Sequence, residues 1–213
     1  MKKLASPLLQ LPVLVLLVVG IGWLHVGKWP DPERYLGGGA LLLYSAWPLL
    51  EAAAIARENR RSSAEQDRGT YLTYAVARVV TVIITVALAA SQAPPQWVVL
   101  AGMALLVGGM LLRTAAIRAL GSAYSNRVRW DEQSTVVSHG PYRLLRHPSY
   151  TGMLLGHLGL AIAVGSVAGI VAVSLVLLPG IVRRVLVEER ALSTSADWTR
   201  FAAARSRLVP WLW

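Results

Sequence analysis

The chain has 213 residues, of which 55% are hydrophobic and only 15% charged, with a mean hydropathy of +0.51 and a formal charge of +10. Soluble domains carry roughly a quarter of their residues as charges, so a soluble globular protein is excluded. The absence of cysteine excludes disulfides, a thiolate nucleophile and Cys-ligated zinc or iron–sulfur sites, and the basic residues flank apolar blocks rather than forming the basic face of a nucleic-acid-binding fold.

A bilayer core of about 30 Å requires roughly 20 apolar residues per crossing helix. The first such stretch runs from about Ser6 to Val26 and, without a small-x-small cleavage site after it, reads as a retained helix. A polar turn through Pro30 and Pro32 leads to a second span at about Tyr35–Ala56. A charged loop, Arg57–Gly69, precedes a third span at about Thr70–Ala90. Pro94-Pro95 then forces a turn before the fourth span, about Trp97–Ile117.

From Arg118 to Pro148 the chain is polar and rich in arginine, and a connection of that length is usually functional. The apolar stretch Ser149–Pro179 is too long for one crossing, and Gly165-Ser166 near its middle permits a helical hairpin. Ile181–Arg205 reads as a cytosolic helix, its first turns open to continuing the hairpin's second arm. With the N-terminus in the cytosol, this layout puts eighteen of the 21 Lys and Arg on the cytosolic face, as the positive-inside rule demands. The expected architecture is therefore all-α and membrane-integral: four transmembrane helices, a membrane hairpin and a cytosolic helix, with no Rossmann domain. Residues 1–117 form the N-terminal helices and 118–213 the working region, on the cytosolic side.

Several motifs are decoys. Gly37-Gly38-Gly39 lacks the Lys-Ser/Thr of a phosphate loop and implies helix packing, as does Gly152-x-x-x-Gly156. The four histidines show no metal-ligand spacing, and His25 and His157 read as interfacial or packed. Arg78, inside the third span, is either a functional intramembrane charge or a snorkelling one.

Two constellations remain. Gly140-Pro141-Tyr142-Arg143-Leu144-Leu145-Arg146-His147-Pro148-Ser149-Tyr150-Thr151-Gly152 gathers two arginines, a histidine and two tyrosines at the mouth of a membrane helix. Pro148 fits the first turn of that helix and leaves backbone N–H groups nearby, which suits an anion such as a carboxylate. In Arg183-Arg184-Val185-Leu186-Val187-Glu188-Glu189-Arg190, Arg184 and Glu188 are spaced to meet on one helix face.

Together with Leu120-Gly121-Ser122-Ala123-Tyr124, Val136-Val137-Ser138-His139-Gly140 and Arg207-Leu208-Val209-Pro210, these segments resemble the isoprenylcysteine carboxyl methyltransferase family and the related membrane phospholipid N-methyltransferases. About half the chain is covered. The resemblance implies an S-adenosylmethionine-dependent methyltransferase whose cofactor pocket lies between the linker and the helix after the hairpin. It implies that Thr135, Val136, Val137, Tyr142, His147, Pro148, Ser149 and Tyr150 line the cofactor, with Arg129 at a looser position. It further implies that Glu188 takes the methionyl ammonium and that Arg184 faces the acceptor. The family's aromatic motif after the acidic pair is replaced by Trp198 and Phe201, which implies retained packing. Methyl transfer to a carboxylate needs in-line placement and exclusion of water rather than a base. For a phenol or amine acceptor a proton must leave, and His147 or Glu189 would take it. The implied partner is a lipophilic or lipidated substrate drawn from the bilayer among membrane lipids, with no nucleic acid. A membrane NADPH-dependent reductase of the sterol-reductase type and a non-catalytic membrane protein are the alternatives.

Overall fold

The computed structural model describes residues 7–58, 70–121 and 136–213, with side chains from residue 15 to 51 in the first stretch. The chain forms α1 (Pro7–Val26), α2 (Glu33–Glu58), α3 (Thr70–Ala87), α4 (Gln96–Leu120), a 3₁₀ turn at Gly140–Arg143, α5 (Pro148–Ala163), α6 (Val167–Leu192) and α7 (Ala196–Ala203). Among the described residues there is no strand, only an isolated backbone bridge between Leu145 and Ser206. The all-helical membrane architecture expected from the sequence is present. Among the described residues α3, α4 and α6 are long and apolar enough to cross a bilayer. The described side chains of α1 form a shorter apolar stretch, Val15–Val26, and α2 occupies the second expected position. Most of the charged loop expected at Arg57–Gly69 lies outside the described residues.

Glycines set how closely the helices approach. A Cβ on Gly22 would meet the Leu41 side chain, one on Gly37 would meet Val26 and Trp29, and one on Gly38 would meet Trp23, so the glycine run packs α2 against α1 and the turn after it. Between α4 and α5 the contact is backbone on backbone. A Cβ on Gly102 would come within 2.8 Å of the Gly159 carbonyl oxygen, and one on Gly109 within 2.6 Å of the Gly152 carbonyl oxygen. The packing reading of Gly152 and Gly156 therefore holds: Gly152 abuts Gly109 and Arg113, and Gly156 abuts the Trp47 ring. Gly109→Val has only backbone to displace and is expected to lower stability by about 3 kcal/mol, at the upper end of overpacking costs. Gly108→Val next to it meets nothing within 4 Å and is expected to be nearly silent. Thermal unfolding of the two variants in the same detergent compares them, and equal melting temperatures would contradict the interlock.

The break foreseen at Gly165-Ser166 is the α5–α6 turn. Gly165 has φ +64°, open to glycine but strained for other residues. Ser166 Oγ accepts from the Gly169 N–H at 3.1 Å, capping α6, and donates to the Leu88 carbonyl at 2.9 Å. The turn is thereby pinned to the end of α3.

The first turns of the helix expected over Ile181–Arg205 are shared with the preceding apolar arm, as the sequence allowed, since α6 runs unbroken from Val167. Its far end is corrected by the structure: α6 stops at Leu192. Ser195 then caps a separate α7, accepting from the Trp198 N–H at 3.3 Å. Proline would ordinarily break α6 at Pro179, because its ring collides with the carbonyl four residues back. A π-helical segment, Val173–Leu177, directly precedes it and widens the turn at that point.

Candidate active site

The mouth of α5 is built from two stretches of chain laid side by side. The Arg146 and His147 amides donate to the Ser206 and Arg207 carbonyls at 2.8 and 3.1 Å. Arg205 Nε donates to the Tyr142 carbonyl and Arg146 Nε to the Arg205 carbonyl, each at 2.8 Å. Thr151 Oγ1 donates to the Leu208 carbonyl at 2.7 Å. Pro148 opens the helix as expected, but the Tyr150 and Thr151 amides are already bonded to the His147 carbonyl at 3.1 and 3.2 Å. Fewer open amides remain for a ligand than the proline alone suggests.

Glu189 holds this mouth together. Its Oε1 accepts from Arg146 Nη1 at 3.1 Å and from His147 Nε2 at 3.2 Å, and its Oε2 accepts from Arg207 Nε at 2.8 Å. An ionised carboxylate only accepts, so the proton on His147 is on Nε2. Glu189→Gln would leave two arginines gathered around a neutral amide. It is expected to cost about 2 kcal/mol, less than a fully buried pair because Arg207 is part-exposed. The 205–213 segment should then be cut faster by trypsin at Arg205 and Arg207, and an unchanged cleavage rate would show that Glu189 does not hold it.

Glu188 points into a different neighbourhood. Tyr150 Oη accepts from Arg184 Nε at 2.7 Å and donates to Glu188 Oε2 at 3.0 Å. Arg184 and Glu188 do share a helix face, and Tyr150 connects them. Arg184 is buried, donates to Thr70 Oγ1 at 3.3 Å, and lies 5.7 Å from the Tyr74 ring centroid. The Tyr150 ring packs against Tyr74 at 6.0 Å and His147 at 5.9 Å, and His147 stands 6.0 Å from Trp198. Trp198 and Phe201, 5.3 Å apart, are buried with Tyr142 and Ala116, and Val136 and Val137 pack on this cluster. The aromatic replacements after the acidic pair therefore keep the packing expected of them.

Of the site residues read from the sequence, Val136, Val137, Tyr142, His147, Pro148, Tyr150, Arg184, Glu188 and Glu189 are brought into one continuous region. Ser149 turns away: its hydroxyl accepts from Arg113 Nη1 at 2.6 Å. Arg129 and Thr135 lie outside the described residues. Sequence reasoning missed the reason for Ser149's direction. Arg113 also donates to Glu51 through Nε at 2.5 Å and Nη2 at 3.0 Å, and both side chains are buried. The signal was available: Glu51 and Arg113 are opposite charges, each embedded in an apolar helix, where charges pair with one another.

Residues 97–195, which carry α4, the mouth, α5 and α6, match the phospholipid methyltransferase family. Protein-S-isoprenylcysteine O-methyltransferase A of Arabidopsis thaliana is 31% identical over 120 residues, 54% of this chain and 61% of the relative. A probable protein-S-isoprenylcysteine O-methyltransferase of Oryza sativa subsp. indica is 30% identical over 90 residues, 41% of this chain and 47% of the relative. The chain thus spans about half to three fifths of the length of these curated relatives. The structure of a eukaryotic intramembrane Ras methyltransferase, isoprenylcysteine carboxyl methyltransferase, superposes with a TM-score of 0.63 at 20% identity, over 95% of this chain and 74% of that one. The fold is that of the integral-membrane methyltransferases. Within that class, the curated relatives this chain resembles are protein-S-isoprenylcysteine O-methyltransferases, and its match to the phospholipid methyltransferase family covers residues 97–195.

Proposed function

We propose that the chain is an S-adenosylmethionine-dependent methyltransferase that O-methylates the carboxylate of a lipophilic acceptor of the isoprenylcysteine type. The observation that carries this reading is the Arg184–Tyr150–Glu188 hydrogen-bonded relay beside the Tyr142–Trp198–Phe201 aromatic cluster, built on the residues that match the family's motifs. The residues present fit the cofactor. Glu188 offers a part-buried carboxylate for an ammonium, and Val136, Val137, Tyr142 and Trp198 offer an apolar and aromatic wall for adenine. When bound, S-adenosylmethionine supplies an electrophilic methyl on a sulfonium.

The chain's own groups orient and exclude water. Tyr150, fixed by Arg184, holds Glu188 in one position. The Arg184 guanidinium brings positive charge next to that carboxylate and favours an anionic acceptor. His147, its Nε2 proton held against Glu189, donates from that edge and packs against Tyr150 and Trp198. The arrangement in the membrane is read as four spanning helices, α1–α4, followed by the α5–α6 hairpin. The site then lies on the cytosolic side, where the positive-inside rule gathers the arginines.

Calorimetric titration of detergent-purified protein with S-adenosylhomocysteine and, separately, NADPH tests the cofactor class. Transfer of labelled methyl to an S-farnesylated cysteine with a free carboxylate, against the same compound as its methyl ester, tests the acceptor. Saturable binding of S-adenosylhomocysteine with transfer only to the free acid is expected. Binding of NADPH alone would overturn the proposal in favour of a reductase.

A further inference from the structure

A second polar cluster lies between α2 and α3, and the mouth of α5 makes no use of it. Arg78 Cζ is 5.5 Å from the Trp47 ring centroid, and Arg78 Nη1 stands 3.9 Å from Glu51 Oε2. Tyr74 sits one helical turn before Arg78. Three polar atoms here, Trp47 Nε1, Tyr74 Oη and Arg78 Nη2, are buried without a well-aligned hydrogen-bond partner among the described residues, although Trp47 faces Glu51 and the Arg78 guanidinium also faces Tyr44. Buried polar groups left unpaired in an apolar setting are costly, and each one in a native fold calls for an explanation.

The charges are also unbalanced. Glu51 already receives two hydrogen bonds from Arg113, so Glu51, Arg78 and Arg113 together carry one surplus positive charge. The neighbouring His157 does not cancel it. Its Nδ1 donates to the Met153 carbonyl and its Nε2 is paired with Tyr44 Oη, each at 2.8 Å, and an imidazole, neutral or protonated, supplies no negative charge. An intramembrane cation whose nearest carboxylate among the described residues is already engaged by another arginine is a functional group by default, with a partner to be named. The Arg78 side chain remains 20% exposed, and the surface beside it carries the exposed Val76, Val79 and Val80 of α3. An alkyl chain would lie against that surface.

The geometry points to a binding site in which the Trp47–Tyr74–Arg78 donors hold the carboxylate head of one long-chain monoanion entering from the bilayer. One surplus charge and three unspent polar atoms match a single carboxylate with two acceptor oxygens, and a doubly charged phosphate monoester would be left half-neutralised. As a docking point for a lipophilic carboxylate on its way to Arg184, the site rests on the proposed reaction for its role. Tyr74 bridges the two places, since its ring touches both Tyr150 and the Arg184 guanidinium.

Native mass spectrometry of the full chain in a non-ionic maltoside, with palmitate and with hexadecanol as probes, tests it. Palmitate should be retained roughly tenfold more than the alcohol, which has the same chain but no charge. Arg78→Gln should lose palmitate roughly tenfold, and Trp47→Phe, which removes one N–H at nearly constant volume, about threefold. Arg184→Gln should keep it. Equal retention of both probes by the wild type, or of palmitate by Arg78→Gln, overturns the site, as does loss in Arg184→Gln alone. Should Arg78→Gln fail to fold, the alcohol comparison and Trp47→Phe still decide. Titration of the same samples with S-adenosylhomocysteine separates the two proposals. Palmitate binding absent with S-adenosylhomocysteine binding present overturns only this site, and the converse overturns only the reaction.

Discussion

Glu51→Ala is expected to be among the most destabilising single substitutions in this chain, with a loss of about 3–5 kcal/mol. Glu51 and Arg113 are a bidentate pair with side chains 4% and 5% exposed, inside helices with little polar surface to replace either partner. Removing the carboxylate strands Arg113, and with it the anchor on the Ser149 hydroxyl that fixes the first turn of α5. It also takes away the carboxylate that stands 3.9 Å from Arg78. Removing both charges is a different experiment. In Glu51→Met with Arg113→Met the charges leave together, and most of the loss should be recovered, because desolvating an ion pair offsets much of its attraction. Thermal unfolding in detergent reads both variants. A Glu51→Ala protein melting within a degree or two of wild type would show that the pair is hydrated and not structural.

Glu188→Ala is expected to weaken S-adenosylhomocysteine binding roughly 30- to 1000-fold, the range for truncating one partner of a desolvated charge pair. The protein should keep its unfolding temperature to within a few degrees, since Glu188 is part-exposed and bonded within the site to Tyr150. Tyr150→Phe separates positioning from charge. It keeps the ring that packs on Tyr74 and His147 but breaks the relay from Arg184. A loss of about tenfold is expected there, the worth of a charge-assisted hydrogen bond. Calorimetry measures both. Undiminished binding in Glu188→Ala would remove this carboxylate from the cofactor site, whatever the fold of the chain.

Much of this arrangement could be read from the residues because long apolar blocks admit few structures. The helix positions, the Gly165-Ser166 turn and the convergence of the Arg146–Thr151 and Arg184–Glu189 segments all follow from length, from breakers and from the clustering of arginines between the apolar blocks. What escaped the reading was lateral. Which face of α4 meets α5 depends on the interlock of Gly109 with Gly152, and periodicity is weak in helices that are apolar all round. That interlock brings Arg113 beside the first turn of α5, where it takes the Ser149 hydroxyl, and neither this nor the Glu51–Arg113 pair across α2 and α4 is set by periodicity. The stop at Leu192 was missed for a local reason. Ser193, Thr194 and Ser195 are tolerated within a helix, and Ser195 acts as a boundary here because its hydroxyl caps α7.

The widened turn at Val173–Leu177 has a consequence for α6 as a whole. Each residue advances an α-helix by about 100° around its axis, so one residue absorbed in a π turn rotates everything after it by that amount. The two ends of α6 are therefore out of phase with each other. The end after Gly165 keeps the azimuth needed to lie along α3 and α5, while the far end is turned until Arg184 and Glu188 look toward Tyr150. The angular setting of the chemistry is thus chosen independently of the angular setting of the helix in the lipid, and the joint between them lies two residues before Pro179.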